Sequence, residues 1–167
     1  MKASSKRSNN LRGTVSCPGD KSISQRSVII GSLLGEDIQI SGFLLAEDPL
    51  STIRALRNLG HEIEIDDDIV SVKNSSKNIS DQKVSCNLGN SGTGFRLISG
   101  LIAGQEINAE LTGDDSLSKR PMNRIINPLN EMGAKIESNK GCAPLIFNKS
   151  QLVKEFLYKM PIASAQL

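Results

Sequence analysis

The 167-residue sequence predicts a mixed α/β fold of the α+β kind, in which one β-α-β-α-β-β unit is used repeatedly. Three observations predict it. The stretch "GSLLGEDIQISG" returns as "GLIAGQEINAEL", so that Gly31, Gly35 and Ile38 line up with Gly100, Gly104 and Ile107. The stretch "IRALRNLGHEIEI" returns as "INPLNEMGAKIES", which aligns Leu56, Gly60, Ile63 and Glu64 with Leu129, Gly133, Ile136 and Glu137. The spacing between the two matches is slightly longer in the second copy, placing a short insertion within "LTGDDSLSKRP". Finally, "MPIASAQL" sets Ser164 in register with Ser91 and Ser22, where a third unit opens.

The elements follow in order. Residues 1–10, "MKASSKRSNN", are polar and read as a disordered tail; they lack the apolar stretch of a secretory signal. Residues 11–167 form one partial domain. Its first repeat covers about 17–85. It opens on the loop "PGDKSIS", with Ser22 placed as helix cap. A helix carrying Val28, Ile29, Ile30, Leu33 and Leu34 follows and stops at Gly35. After the strand "DIQISG", Asp48 is placed to cap a second helix and Pro49 to begin it. Leu50, Ile53, Leu56 and Leu59 keep helical spacing up to Gly60. "HEIEIDDDIVSVKN" then alternates as a hairpin turning at Asp66 to Asp68.

The second repeat covers about 86–155 and reads the same way. Phe95, Ile98, Leu101 and Ile102 mark its first helix, Gly104 the stop, "EINAEL" the strand and "AKIESNKGCAPLIFN" the hairpin. Pro128 falls inside its second helix, where an interior proline costs about 3 kcal/mol, so a kink or break is expected after Ile126. The third repeat, 156–167, stops where a helix should begin, and the chain reads as a fragment or a truncated reading frame.

Composition narrows the function classes. A net charge of +2 is too weak a bias to argue for nucleic acid or a membrane surface. Aromatic residues make up 3%, with no Trp and a single Tyr, so no base-stacking platform is present and the core must be aliphatic. Cys17, Cys86 and Cys142 are far apart and form no metal-ligand or disulfide pattern, which fits a reducing cytosol and a cytoplasmic protein. No apolar run is long enough to span a membrane.

In register, "PGDKSIS", "LGNSGTG" and "PIASAQ" each lie where a strand hands over to a helix. Free backbone N–H groups and the positive dipole end favour phosphate or carboxylate there. Cations gather around them: Lys21 and Arg26 at the first loop, Arg96 after the second, Lys119 and Arg120 in the insertion. Each charge-assisted hydrogen bond contributes about 1.5–3 kcal/mol, so their convergence would hold a polyanion firmly. Plainer readings stand beside this one. Arg26 alone reads as a solvated helix residue, Gly89 and Gly92 as turn glycines, His61 as structural or solvated, Asp66 to Asp68 as a turn, and Asp114 and Asp115 as loop residues. The second loop lacks the G-x-x-x-x-G-K-[ST] spacing of a P-loop NTPase.

"PGDKSISQR", "LGNSGTGFRL", "GDDSLSKRPM" and "PIASAQL" together resemble successive motifs of the EPSP synthase family, the 3-phosphoshikimate 1-carboxyvinyltransferases, over nearly the whole chain from Leu11. Four motifs in order are far more specific than any one, and members of that family are considerably longer. The resemblance implies the enolpyruvyl transferase fold, two halves of three such units each, with the active site in the cleft between them. It places a first strand around Leu11 to Ser16 in the other half. It implies transfer of the enolpyruvyl group of phosphoenolpyruvate to the 5-hydroxyl of shikimate 3-phosphate by addition and elimination, without metal or cofactor, by a protein monomeric at full length. It implies further that the acidic proton acceptor and additional cations lie beyond Leu167, so that this chain alone is inactive and binds shikimate 3-phosphate weakly.

By motif position, Lys21 resembles the lysine touching both substrates near the reacting hydroxyl. Ser22 and Arg26 resemble shikimate 3-phosphate contacts. Asn90 and Gly92 resemble the loop lining the phosphoenolpyruvate pocket, where an Ala at Gly92 would favour substrate over a bulkier inhibitor such as glyphosate. Arg120 resembles the arginine holding phosphoenolpyruvate. Ser164, Ala165 and Gln166 resemble the loop on the shikimate phosphate, with Gln166 reaching phosphoenolpyruvate; Ala165 stands where many members carry Ser. Arg96 resembles a supporting residue. The sister enzyme acting on UDP-N-acetylglucosamine shares the fold but normally carries a reactive Cys in the loop matching "GDDSLSKRP", which has none here. A non-catalytic anion-binding remnant is the rival of a different class, against which Lys21, Arg26, Arg120 and Gln166 all stand.

Overall fold

The structure, a computed structural model, describes residues 3–7, 10, 12–74, 83–151, 157–160 and 163. The first unit runs α1 (Lys21–Gly31), β1 (Ile38–Ile40), α2 (Glu47–Asn58), β2 (Ile63–Asp66) and β3 (Ile69–Val72). The second runs β4 (Val84–Asn87), α3 (Gly92–Gly104), β5 (Ala109–Thr112), a 3-10 turn (Leu117–Lys119), α4 (Asn123–Met132), β6 (Lys135–Asn139) and β7 (Cys142–Asn148). The order of elements therefore repeats, and the 3-10 turn is the insertion of the second copy. The opening of a third unit lies outside the described residues.

Each unit has its own sheet, and the two share a plan. β1 pairs antiparallel with β3, and β3 with β2. β5 pairs antiparallel with β7, and β7 with β6. Ile38 opposite Val72 and Ile40 opposite Val70 have their counterparts in Ala109 opposite Phe147 and Leu111 opposite Leu145. The second sheet adds β4, parallel to β5. Residues 12–16, where the resemblance places a strand, form none and are exposed; strand geometry is stable only when its backbone groups join a ladder.

One core unites the units. Val28 of α1, Ile53 and Leu56 of α2, and Phe95, Ile98 and Ile102 of α3 are buried with Val70, Val72, Leu111, Leu145 and Phe147 of the sheets. α3 packs on both α1 and α2, and α2 also on β4. With no Trp and four Phe, aliphatic side chains do most of this filling.

Four local expectations are corrected. α1 ends at Gly31 rather than Gly35, leaving Leu33 and Leu34 exposed. The Ser32 hydroxyl donates back to the Ile29 carbonyl (2.7 Å), and a side chain that serves the last carbonyls competes with helix continuation. Asp20, not Ser22, caps α1: its carboxylate accepts from the Ile23 N–H at 2.7 Å. α2 begins before Asp48, at Glu47, with Ala46 as an N-cap that makes no side-chain bond. Pro49 still sits in the first turn, where a missing N–H costs no helical bond. α4 runs unbroken through Pro128. The carbonyl deprived of its N–H partner belongs to Arg124, an exposed residue that water reaches.

Candidate functional site: two helix starts and a basic loop

The start of α1 is held by its own residues. Ser24 Oγ donates to the Asp20 carbonyl (2.8 Å) and accepts from the Leu44 N–H (3.0 Å), tying the chain after β1 to the first turn. Gly19 allows the close approach behind this, since a Cβ there would meet the Gly42 carbonyl and lie 3.0 Å from Leu44 N. Lys21 is the first helical residue; its Nζ donates to Asp48 Oδ2 at 3.0 Å, with its side chain half exposed. Arg26, one turn on from Ser22, donates to the Ser22 carbonyl at 3.3 Å. The three sequence-predicted residues of this loop thus share one end of α1.

The start of α3 is built differently. Asn87 Oδ1 accepts from the Gly89 N–H (2.8 Å), turning the chain out of β4 with Gly89 at a φ of 54°. Ser91 caps α3 by accepting from the Gly94 N–H at 3.2 Å. The insertion folds back over this turn. Asp114 N–H donates to the Gly89 carbonyl (2.9 Å). Asp114 Oδ1 accepts from the Leu117 N–H (2.7 Å), and Oδ2 from Asn90 Nδ2 (2.7 Å). The Leu117 hydrogen bond first, then Asn90, Ser116 and the Arg120 charge, hold the Asp114 carboxyl below the usual carboxylate range.

Arg120 completes the arrangement. Its guanidinium donates to Asn90 Oδ1, to the Asn90 carbonyl (3.5 Å) and to Ser116 Oγ (3.3 Å). Arg96 donates to the carbonyls of Gly92 (3.0 Å) and Pro121 (3.5 Å). Burial first, then the like charges of Arg124 and Arg120, lowers its pKa. Both guanidinium groups crowd Gly92: an added Cβ would lie 2.9 Å from Arg120 Nη1 and 3.1 Å from Arg96 Nη1. The ion pairs of the described residues include Lys21–Asp48, Arg54–Glu47, Lys73–Glu64 and Lys83–Glu110, whereas the hydrogen bonds of both arginines go to neutral groups and the Asp114 carboxylate acts on Arg120 only through its charge. Cations held by neutral acceptors keep their field for an incoming anion.

The two starts are joined by a residue that sequence reasoning missed. Gln25, fully buried in α1, donates from Nε2 to Ser91 Oγ (2.8 Å), Thr52 Oγ1 (3.0 Å) and the Asp48 carbonyl (3.3 Å). Asp114, read from the sequence as a loop residue, was missed likewise; a short polar residue three positions ahead of Leu117 is the cap pattern that signals it. Ser164, Ala165 and Gln166 lie outside the described residues. A neighbouring cleft of about 480 Å³, lined by Glu47, Arg54, Arg57, Asn58, Asn87 and Gly89, is a separate feature. Its arginines are engaged, Arg54 with Glu47 and Arg57 with the Ile63 carbonyl at 2.6 and 3.0 Å. Among the described residues, no group of His, Cys, Asp and Glu is disposed to hold a metal ion, and no helix is long and apolar enough to cross a membrane.

A β-α-β-α-β-β unit used repeatedly, with cations gathered at its helix starts, defines a protein of the enolpyruvyl transferase fold. Residues 5–167 match the family EPSP synthase (3-phosphoshikimate 1-carboxyvinyltransferase), and the chain belongs to that family. It is 48% identical over 161 residues to the 3-phosphoshikimate 1-carboxyvinyltransferase of Vesicomyosocius okutanii, covering 96% of this chain and 37% of that one. It is 48% identical over 158 residues to the protein of that name from Thermoanaerobacter sp. (strain X514), covering 94% and 37%. An EPSP synthase structure from Acinetobacter baumannii superposes with a TM-score of 0.81 at 39% identity, over 92% of this chain and 36% of that one. The chain therefore spans little more than a third of the length of the relatives it matches.

Proposed function

We propose that this chain forms the N-terminal part of a site at which the enolpyruvyl group of phosphoenolpyruvate passes to the 5-hydroxyl of shikimate 3-phosphate, releasing phosphate. The observation that carries this reading is Arg120, held over Gly92 by hydrogen bonds to the neutral groups of Asn90 and Ser116. Arg120, Asn90 and Gly92 would receive phosphoenolpyruvate. Ser22 and Arg26 would meet shikimate 3-phosphate, together with Ser164, Ala165 and Gln166, and Gln166 would also reach phosphoenolpyruvate. Lys21 would stand between the two substrates near the attacking hydroxyl, as a cation stabilising charge that develops on the transferred group. Asp48 aims its Nζ from 3.0 Å. In this reading residues 11–167 are one partial domain, the reaction uses no metal or organic cofactor, and the full-length protein is a cytoplasmic monomer.

The reading predicts that the isolated chain turns over neither substrate yet binds shikimate 3-phosphate weakly. An enolpyruvyl transfer assay and an amide-shift titration with shikimate 3-phosphate test both halves. Binding at residues 20–26 without turnover is expected; no binding there, or turnover by the chain alone, would overturn it. A chimera joining this chain to the C-terminal remainder of the Thermoanaerobacter relative separates an enzyme from a remnant. The enzyme reading expects turnover that Lys21→Ala abolishes; an inactive but folded chimera favours the remnant.

A further inference from the structure

Two loops that must act on neighbouring groups of a small substrate need a fixed separation, because small displacements of binding groups cost large factors in affinity and rate. In this chain the loops belong to different units, which meet through α1, α2 and α3. Most of that joint is apolar packing, which resists compression but does not select one sliding register. Asn58 of α2 crosses the joint at an exposed edge, donating to the Ser85 carbonyl at 2.9 Å, and Gln25 crosses it in the buried interior. It is 0% exposed and lies among core residues of α1. From one amide nitrogen it addresses Ser91, the cap of α3, and Thr52 and the Asp48 carbonyl of α2. Ser91 Oγ in turn accepts from the Gly94 N–H, so the hydrogen bond from α1 ends on the atom that organises the start of α3. Asp48 offers its carbonyl to Gln25 and its carboxylate to Lys21. The contact is tight: a Cβ on Gly94 would lie 3.0 Å from Gln25 Nε2, 2.8 Å from Ser91 Oγ and 2.6 Å from Thr52 Oγ1.

We propose that Gln25 is a positioning residue, which touches no substrate and sets the register between the Lys21–Arg26 loop and the Asn90–Gly92 loop through its hydrogen bond to the Ser91 cap. This rests on the functional reading above, in which both loops serve one pair of substrates. A glutamine that only filled the core could be exchanged for an apolar side chain of similar size at the cost of its hydrogen bonds alone. A residue that sets register has a second signature, loss of ligand affinity that does not follow stability.

The test is titration of the whole 167-residue chain with shikimate 3-phosphate in the presence of phosphoenolpyruvate, so that both loops are engaged, read by amide shifts, beside thermal unfolding, for the native chain, Gln25→Leu, Ser91→Ala and the double variant. Ser91 Oγ keeps the Gly94 N–H as its partner in Gln25→Leu, so the double variant loses the α3 cap as well and should unfold at a lower temperature than Gln25→Leu. Its affinity should stay as low as that of Gln25→Leu, on the order of tenfold below native. Affinity that falls further with stability in the double variant, or an unchanged affinity in Gln25→Leu, overturns the proposal while leaving the functional reading intact. If the native chain does not bind shikimate 3-phosphate, the reading and the proposal fall together, a result distinct from the former two. Should Gln25→Leu not fold, Ser91→Ala and Thr52→Val decide. The first cuts the link to α3 and should weaken binding; the second leaves that link in place and should not. Equal affinities in the two overturn the proposal.

Discussion

The starts of α1 and α3 occupy equivalent places in successive units and are charged in opposite ways. α1 is capped by the carboxylate of Asp20, and the lysine that follows is paired with Asp48. α3 is capped by the neutral hydroxyl of Ser91, and the guanidinium groups nearest to it rest on carbonyls, an amide and a hydroxyl. A carboxylate cap already answers the positive end of its helix dipole and repels a second anion. In the function proposed above, the α1 start would therefore attract a phosphate through Lys21 and Arg26, whereas the α3 start would also have its helix end to offer. Equivalent backbone positions in a repeat can thus divide the labour of binding two anions, one by long side chains and the other by a helix terminus beneath two arginines.

The core joint between units sets the largest expected effect. Phe95 is fully buried at the start of α3, and Phe95→Ala should cost about 3–5 kcal/mol in urea unfolding, releasing both helix starts together. A loss below about 1 kcal/mol would mean that the units do not depend on this joint. Next comes Arg120→Ala, assayed in the chimera. It removes charge-assisted bonds each contributing about 1.5–3 kcal/mol, so kcat/KM for phosphoenolpyruvate should fall about tenfold to a hundredfold. Shikimate 3-phosphate binding by the chain should barely change, and an equal loss for both ligands would erase the division of labour. Asp20→Ser gives α1 the kind of cap that α3 has. Shikimate 3-phosphate should bind about two- to threefold more tightly, with stability within about 0.5 kcal/mol of native. Weaker binding would show that the Asp20 charge does not oppose the ligand.

The smallest effect is one of pH. The folded Asp114 carboxyl titrates below its ordinary value, so its contribution is complete above about pH 4 and is lost only as the pH falls through the lowered value. The Gly89, Asn90 and Leu117 amide shifts should then be flat from pH 7 to about pH 5 and move only in stronger acid. A midpoint near pH 5 or above would contradict the hydrogen bonds assigned to Asp114.

Much of this was legible in the residues themselves. The repeat showed through matched glycines and apolar spacing because those positions answer to local demands: Gly60 and its match Gly133 both adopt positive φ, and the buried stripe of α2 follows its helical period. Both hairpins and the strand after each first helix formed where alternation placed them. The cap of α1 was misread because Asp20 and Ser22 are both good caps within three residues. What separates them is non-local, the seat of Gly19 against Gly42 and Leu44 and the hydrogen bond from Leu44 to Ser24. The start of α2 shifted for a related reason, since Asp48 faces Lys21 of α1 within the same unit instead of capping its own helix.

The sequence by itself determined the kind of protein: a repeated α/β unit with cations placed at its helix starts, in motifs that name a family. Those features depend on residue type and short-range spacing. Only the tertiary structure decided which cation is neutralised and which is not. Lys21 meets Asp48 from 27 residues away, Arg120 meets Asn90 from 30, and Gln25 reaches Ser91 from 66. Electrostatic partners are set by distance in space, and distance in space is settled by how helices and loops pack within each unit and, for Gln25, between the two.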